Sequence, residues 1–360
     1  GRGAFRVATD QLPTMPASGG CVAAADYDGD GDLDLFAGGR LVPGRYPQAP
    51  RSYLLENDGR GRFRDLTAER APALQQPGLV TDAAWSDYDG DGRPDLLLVG
   101  EWMPVSFYRN EEGRLRPVEI APRYSAAADS LPSTAGWWNR LAVADMDEDG
   151  DPDYVLANYG WNSQINAGAD APVRLYAKDF DGNGSVDPLL AYYIDGVSHP
   201  ALSKDDMESQ LRHLKRRYVK YHDYAVQTME ELIREEDTSN VQLLQAHTLS
   251  SVYLENQGGG QFQWRILPTV AQFAPMFGIA LEDFDGDGRR DILLAGNFTA
   301  TRVKFGRQDA GKGALLLADG QGGFHAADNA AVGLLLDGEV RDLTVVTTAD
   351  GRRRLVVAKN

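Results

Sequence analysis

Short apolar runs alternate with clusters of acidic residues along the chain. The run "CVAAADY" leads into the first cluster, and "LDLFAGG", "PDLLLVG", "PDYVLAN" and "RDILLAG" lead out of the first, second, third and fifth clusters. Runs of this length that end in Gly or Asn are typical of strands. Several copies continue with two further runs about a polar turn, as in "RSYLLENDGRGRFRDLTAE" and "SVYLENQGGGQFQWRIL". The pattern predicts a repeat of four antiparallel strands, which is typical of a β-propeller.

The pattern changes in the middle of the chain, where the period becomes helical. The apolar positions at this spacing are Met207, Leu211, Leu214 and Tyr218. Ser203 followed by Asp206 is a capping pattern for the start of this helix. A second helix is predicted from about Asp223 to Arg234. We interpret residues 196–248 as a helical insertion in one blade, packed as a lid on the propeller edge.

The two ends of the chain complete each other in this interpretation. Residues 1–10 match the fourth strand that starts at Gly59, and the C-terminal "VRDLTVVTTADGRRRLVVAKN" matches a first and second strand whose loop has lost its acidic residues. Pairing the termini in one blade closes the ring and leaves no open edge. We therefore predict an all-β fold, with a single propeller over residues 1–360 made of six or seven four-stranded antiparallel blades.

The acidic clusters are five copies of one nine-residue loop. The first is "DYDGDGDLD" from Asp26, followed by "DYDGDGRPD", "DMDEDGDPD", "DFDGNGSVD" and "DFDGDGRRD". Positions 1, 3 and 9 are always Asp, position 5 is Asp or Asn, and position 6 is Gly. Glycine allows the positive φ that brings side chains 1, 3 and 5 together. Oxygen ligands at alternate positions of a tight turn, with the position-7 carbonyl, suit calcium.

Two other interpretations of these loops are an EF-hand and a simple hairpin turn. An EF-hand needs a bidentate Glu at position 12 and flanking helices, but position 12 is Ala or Leu in every copy and the flanks read as strands. Asp and Gly also favour simple hairpin turns, although five copies with one ligand spacing favour calcium. The predicted ligands of five Ca²⁺ ions are Asp26, Asp28, Asp30, Asp32 and Asp34; Asp87, Asp89, Asp91, Arg93 and Asp95; Asp145, Asp147, Asp149, Asp151 and Asp153; Asp179, Asp181, Asn183, Ser185 and Asp187; and Asp283, Asp285, Asp287, Arg289 and Asp291, with the seventh position contributing its carbonyl.

Composition agrees with a calcium-loaded protein outside the cytosol. The formal net charge of the 360 residues is −17, and much of it lies in the five loops. No basic stripe is present to meet phosphates, which argues against nucleic acid as a partner. Cys21 is the single cysteine, which rules out an intrachain disulfide, and no apolar run approaches the length of a membrane span. We expect an extracellular, cell-surface or periplasmic protein, and we interpret the start at Gly1 without Met as a processed piece of a longer chain.

These loops and their flanking strands resemble a known family. "DxDxDGxxD" between strands, "SYLLENDGRGRFRDLT" and "GIALEDFDGDGRRDILLAGN" are similar to the FG-GAP/VCBS repeats of integrin α-subunit propellers and of bacterial proteins like cartilage acidic protein (ASPIC/UnbV type). The resemblance covers nearly all of the chain outside about residues 196–248. It implies a propeller with calcium at Asp26, Asp28, Asp30 and Asp34 and at the matching residues. It does not identify a ligand, because the family includes adhesion, glycan-binding and uncharacterised surface proteins.

Aromatic residues gather in the connections that a propeller places opposite the calcium loops. These connections follow second strands or precede first strands. The predicted ligand-binding residues there are Trp102, Trp137, Trp138, Asn139, Tyr159, Trp161 and Phe298, with Arg40, Arg140, Asn158, Asn162 and Asn297 as polar neighbours. Rings beside amides and guanidiniums suit a glycan or a protein loop. The alternative is that the rings fill the spaces between blades.

Three functions are compatible with these features. The first is a calcium-stabilised binding or adhesion propeller at the cell surface. The second is a glycan-active enzyme such as a lyase, for which Tyr221, His222 and Tyr224 are the candidate residues. The third is a structural subunit of a surface assembly. No phosphate loop or nucleophile elbow is present, and we expect no catalytic residues.

Overall fold

The computed structural model describes residues 7–8, 10–124, 131–234 and 236–360. Within these ranges the chain is mostly β-structure, and the expected all-β fold of four-stranded antiparallel sheets is confirmed. The strands are β1 (Ser18–Ala25), β2 (Asp34–Leu41), β3 (Tyr53–Asn57), β4 (Phe63–Asp65), β5 (Leu79–Ser86), β6 (Asp95–Met103), β7 (Ser106–Asn110), β8 (Leu115–Val118), β9 (Arg123–Tyr124), β10 (Gly136–Trp137), β11 (Arg140–Ala144), β12 (Asp153–Ala157), β13 (Val173–Lys178), β14 (Asp187–Ile194), β15 (Val197–Pro200), β16 (Gln242–Ala246), β17 (Val252–Asn256), β18 (Phe262–Ile266), β19 (Met276–Glu282), β20 (Asp291–Gly296), β21 (Ala314–Ala318), β22 (Phe324–Ala326), β23 (Val340–Thr347) and β24 (Arg353–Lys359). The helices are α1 (Thr67–Arg70), α2 (Lys204–Gln210), α3 (Leu214–Arg217), α4 (Tyr221–Ala225), α5 (Met229–Ile233) and α6 (Asn329–Val332), with 3₁₀ helices at Pro72–Gln75, Thr269–Gln272 and Val303–Phe305.

The strands pair in sheets that follow the sequence repeat. The sheets of the described residues are β1-β2-β3-β4; β10-β6-β7-β8, with β5 also on β6; β11-β12-β17-β18-β9; β15-β14-β13-β16; β19-β20-β21-β22; and β23-β24. The first strands β1, β5, β11, β19 and β23 contact one another in that order, which is a propeller-like arrangement. The predicted closing strand at residues 1–10 lies largely outside the described residues, so the pairing of the termini stays a prediction.

The third sheet is interrupted by a complete additional sheet. Strands β12 and β17 are neighbours, with Leu156 opposite Val252. The chain between them forms β13 to β16 and α2 to α5. The interruption therefore includes a sheet that begins at Val173, well before the insertion expected at residues 196–248. The fourth acidic loop belongs to this inserted sheet, since it joins β13 to β14.

Four short helices replace the two that the periodicity predicts. Ser203 caps α2 as expected, because its hydroxyl accepts a hydrogen bond from the Asp206 amide at 3.2 Å. A capping box that the sequence analysis missed, Thr228 with Glu231, begins α5. The predicted apolar stripe at Met207, Leu211, Leu214 and Tyr218 is buried and packs on β14 of the inserted sheet. The stripe thus covers the inserted sheet.

The core is built where neighbouring sheets face each other. Phe107, Tyr154 and Phe262 meet between the second and third sheets, with ring centroids 4.9 to 6.2 Å apart. This cluster holds the sheets in a fixed relation, because closely packed aromatic rings bury large apolar areas. Of the helices that the structure describes, none is both long and apolar enough to cross a bilayer.

Candidate metal loops and an aromatic cavity

The five acidic loops share one backbone conformation. Each ends with its position-9 Asp as the first residue of a second strand: Asp34, Asp95, Asp153, Asp187 and Asp291. The position-6 glycines all have positive φ, at 94° for Gly31, 85° for Gly92, 98° for Gly150, 89° for Gly184 and 94° for Gly288. In each loop this glycine amide donates to Oδ2 of the position-1 Asp at 2.8 to 3.1 Å. The turn thereby folds the loop around its first carboxylate.

Each loop brings three carboxylates together. One oxygen from each of positions 1, 3 and 9 lies within 4.8 Å of the others, in Asp26, Asp28 and Asp34; Asp87, Asp89 and Asp95; Asp145, Asp147 and Asp153; Asp179, Asp181 and Asp187; and Asp283, Asp285 and Asp291. Among the described residues, no donor reaches the buried Oδ1 of Asp145. Like charges at this distance repel each other, so the donor set fits a hard cation that prefers oxygen.

The position-5 side chains lie outside these triads. Their oxygens instead accept the position-7 amide, at 3.1 Å from Asp32 to Asp30 and 2.8 Å from Ser185 to Asn183. The Asp91 carboxylate also pairs with the side chain of Arg93, and Asp287 pairs in the same way with Arg289. Ligation by position 5 and by the position-7 carbonyls stays a prediction.

The position-9 carboxyl groups are buried, and burial changes their ionisation. In the absence of a cation, burial raises the pKa of Asp34 to about 6 and those of Asp95 and Asp153 to about 7. Burial likewise raises the pKa of Asp187 and of Asp291. A metal ion that binds Asp95 or Asp153 would therefore displace protons near neutral pH.

Asparagines at the ends of third strands connect the loops of neighbouring sheets. The Asn110 amide donates to Oδ1 of Asp95 at 2.6 Å, and its side-chain Nδ2 donates to the Tyr27 carbonyl at 2.6 Å. Asn256 Nδ2 donates to the Tyr88 carbonyl at 2.9 Å. Tyr27 and Tyr88 each occupy position 2 of the preceding acidic loop. This role is not among those predicted from the sequence, although an Asn recurs before the polar turn in "LLEND", "FYRNE" and "YLENQ".

A cavity of about 650 Å³ lies at the opposite end of the strands. Asp95 begins β6 and Trp102 lies near its end, and seven residues of strand span roughly 23 Å. Six of the seven predicted ligand-binding residues line the cavity: Trp102, Trp137, Trp138, Asn139, Tyr159 and Phe298. Trp161 lies outside it, is 42% exposed and donates its Nε1 to Ser250 Oγ at 2.9 Å.

Trp138 differs from the other five because it is a core residue. Its side chain is 0% exposed and packs edge-on against Trp264, with centroids 5.9 Å apart. Its Nε1 donates to the Thr134 carbonyl at 3.1 Å. For Trp138 the structure therefore favours the alternative of a ring that fills the space between blades, supporting the cavity wall from beneath.

Trp102 is held in an uncommon backbone conformation at the cavity wall. Its φ is 63°, a region that bulky residues rarely adopt outside functional or strained sites. Its Nε1 donates to the Tyr46 hydroxyl at 2.7 Å, and that hydroxyl donates to the Glu101 carboxylate. Glu101 in turn pairs with Arg40 at 2.5 Å. Burial, with the Glu101 charge, raises the pKa of Tyr46, which keeps its hydroxyl protonated.

Aromatic rings and the inserted sheet complete the cavity. Trp137 stands edge-on to both Trp102 and Tyr159, each with centroids 5.1 Å away. On another wall the Arg341 guanidinium lies 4.5 Å from the Phe277 ring centroid. Residues of the interruption close the remaining side: Pro188, Leu190, Leu202 and Gln210. The cavity thus lies between the succession of sheets and the segment inserted in it.

The candidate residues for an enzyme do not gather at this cavity. Tyr221 is exposed and donates to Asp205 at 2.7 Å. Tyr224 is buried and donates to the Leu202 carbonyl at 2.9 Å. His222 lies on α4 beside them. Among the described residues that line the cavity, none of these three is found.

Comparisons with known proteins agree with the repeat. The FG-GAP-like repeat family matches residues 87–156, which include the second and third acidic loops. Over 119 residues the chain is 34% identical to cartilage acidic protein 1 of Xenopus tropicalis, a match that covers 31% of this chain but 18% of that protein. The chain is thus an all-β protein that contains FG-GAP-like repeat sequence.

Solved structures show only weak similarity to this chain, although the matches extend over most of its length. The V. cholerae biofilm matrix protein Bap1 is 12% identical with a TM-score of 0.35, over 96% of this chain and 67% of Bap1. The Agrocybe aegerita lectin that recognises non-reducing terminal N-acetylglucosamine is 17% identical with a TM-score of 0.34, over 95% of this chain and 75% of the lectin.

Proposed function

We propose that the protein is a calcium-stabilised binding protein, secreted or at the cell surface, that holds a glycan in the aromatic cavity. The observation that carries the proposal is the convergence of Trp102, Trp137, Asn139, Tyr159 and Phe298 on one concave site. These residues come from distant parts of the chain. Their rings, with amide and guanidinium groups between them, supply stacking surfaces and fixed hydrogen bonds.

The five acidic loops would hold calcium and stabilise the sheets. Positions 1, 3 and 9 of each loop would bind the ion through their carboxylates, with position 5 and the position-7 carbonyl completing the shell. The ion neutralises crowded carboxylates at the start of each second strand. Because the cavity residues lie at the far ends of those strands, ordered loops would support the binding site without touching the ligand.

The shape of the cavity favours a glycan over a protein loop. Its volume of about 650 Å³ lies in the range of small-molecule sites, about 300–1,000 Å³. Protein partners generally cover a larger and flatter surface. A sugar presents an apolar face for the rings and hydroxyl groups for the polar side chains.

A glycan array probed with the calcium-loaded protein tests the proposal. We expect capture of one or a few related glycans, and loss of capture in Trp137→Ala. Trp161→Ala is the matched control, since Trp161 is exposed and lies outside the cavity. Equal capture by both variants would place the ligand elsewhere. If the protein captures only proteins on a parallel protein array, the ligand is a protein loop and not a glycan.

A further inference from the structure

Three buried side-chain donors on one cavity wall have no hydrogen-bond partner among the described residues. They are Arg40 Nη1, Trp137 Nε1 and Asn139 Nδ2. A buried donor left unpaired costs free energy, so such groups are normally satisfied. Three of them around one concave site indicate that a bound molecule supplies the missing acceptors.

Glu101 connects two of the three donor residues. Trp137 lies opposite Glu101 in the pairing of β10 with β6, and Arg40 Nη2 binds the same Glu101 at 2.5 Å. Asn139 follows Trp137 by two positions, while the intervening Trp138 faces the core. Trp137, Asn139 and Arg40 all line the cavity.

The cavity wall has a surplus of unpaired donors, because beside the three donors the described lining holds one buried acceptor without a partner, Gln210 Oε1. Glu101 is the one carboxylate among its described lining residues, and Arg40 and Tyr46 already engage it. Three guanidiniums line the cavity, those of Arg40, Arg302 and Arg341. Arg302 and Arg341 each pair with a carboxylate outside the lining, Asp206 at 3.2 Å and Glu339 at 2.6 Å. A complementary ligand must therefore offer more acceptors than donors.

We propose that the cavity selects a sugar unit that carries a carboxylate, of the uronic acid class. This rests on the proposed function, that the cavity binds a glycan. A carboxylate accepts hydrogen bonds without donating any, and its bonds to charged donors are stronger than those of a neutral hydroxyl. The carboxylate lies against Arg40, Trp137 and Asn139, and the apolar face of the sugar ring lies on the neighbouring aromatic side chains.

Titration calorimetry with paired oligosaccharides tests the charge requirement. The probes are hyaluronan, heparosan and unsulfated chondroitin oligosaccharides, each beside its carboxyl-reduced form, at one fixed millimolar calcium concentration. We expect at least one acidic form to bind, with its reduced form about 10- to 100-fold weaker. Equal affinity for both forms would overturn the carboxylate inference and leave glycan binding standing. No binding by any probe, acidic or reduced, would contradict the carboxylate inference, while capture on the glycan array decides separately whether the cavity binds a glycan.

Two variants test the donors without disturbing the Arg40–Glu101 pair. Asn139→Asp keeps the shape of the side chain but exchanges the donor for a negative charge. We expect its affinity for the acidic probe to fall at least tenfold and its affinity for the reduced probe to stay unchanged. Trp137→Phe removes the indole N–H and should lower the affinity for the acidic probe. Trp161→Phe, outside the cavity, is its matched control. Thermal unfolding in calcium establishes that each variant is folded. If Asn139→Asp is unfolded, the comparison of Trp137→Phe with Trp161→Phe tests the inference instead. Equal affinities of these two variants for the acidic probe would overturn it.

Discussion

The backbone amide of Asn158 donates a hydrogen bond of 3.0 Å to the hydroxyl of Ser251, 93 positions later in the chain. The Asn158 side chain reaches the Thr248 carbonyl as well, at 3.3 Å. The chain therefore leaves the third sheet and returns to it at almost one point. Everything between these residues, including the fourth acidic loop and the helices α2 to α5, is one inserted unit.

Excising this unit should leave a folded protein. We expect a variant in which a short Gly-rich linker replaces residues 160–249 to unfold cooperatively, because β12 and β17 can still pair. It should melt at a lower temperature, since Leu79 and Trp102 lose the cover of Val173 and Leu175. Calorimetry should count four calcium ions in place of five, with no glycan binding. Loss of all cooperative unfolding would show that the unit belongs to the core.

Deleting the helices alone is a sharper test of where they pack. Removing residues 203–236 should leave a folded, calcium-binding protein, because the succession of sheets does not depend on them. It should nevertheless expose Leu189 and Ala191 of β14, which the helices bury. We expect greater binding of a hydrophobic dye than in the full excision. Equal dye binding by the two deletions would mean that β14 is covered in another way.

Calcium removal should destabilise the protein, because each triad then holds uncompensated carboxylates. Differential scanning calorimetry with and without chelator should show a lower melting temperature in chelator. Asp34→Ala should weaken the first site more than Asp32→Ala, since Asp34 belongs to the first triad and Asp32 does not. A melting curve that chelator leaves unchanged would exclude structural calcium.

The effect of calcium should grow with pH between 5 and 8. In the ion-free protein the folded-state pKa is about 7 for Asp95 and Asp153, above the unfolded value of about 3.9. Between these two values the folded state binds more protons than the unfolded state, so ion-free stability falls as pH rises from about 4 to about 7. Calcium affinity rises over the same range, as fewer protons must be displaced. A melting-temperature difference that is constant from pH 5 to 8 would contradict this.

Asn110→Ala should destabilise the protein more than Asn57→Ala. Asn110 is fully buried, and its Nδ2 satisfies both the Tyr27 carbonyl of the preceding sheet and the Pro94 carbonyl at 3.0 Å. Losing these bonds leaves buried carbonyls unpaired, at a cost of about 2–4 kcal/mol. Asn57 donates to Leu33 within its own sheet and is partly exposed, so we expect about 1 kcal/mol there. Urea denaturation in calcium measures both, and equal losses would argue against a link between sheets.

Alanine variants of Trp138 and Trp137 should distinguish a loss of stability from a loss of binding. Trp138→Ala should cost about 3–5 kcal/mol, as for other buried aromatic residues, because the Trp138 side chain is fully buried. Trp137→Ala should cost less and abolish glycan capture. Chemical denaturation and the glycan array give the two readouts. A Trp138→Ala protein of normal stability that no longer binds would make Trp138 a ligand contact after all.

The geometry of the acidic loops is largely determined by the sequence alone, because every group that forms a loop lies within nine residues. Glycine at position 6 and aspartate at positions 1, 3 and 9 specify the turn through local geometry, so all five triads could be located in advance. The cap at Ser203 is local in the same way. The succession of strands follows from the spacing of the apolar runs.

The cavity, by contrast, was decided by the tertiary structure. The sequence placed aromatic residues at one end of the strands, but adjacent Trp137 and Trp138 differ in exposure because one faces the cavity and the other Trp264, more than a hundred positions away. The pairing of β12 with β17, and the inserted sheet that closes the cavity, likewise depend on contacts between residues that are far apart in the sequence. Burial and unpaired donors arise from such contacts, and spacing along the chain carries no information about them.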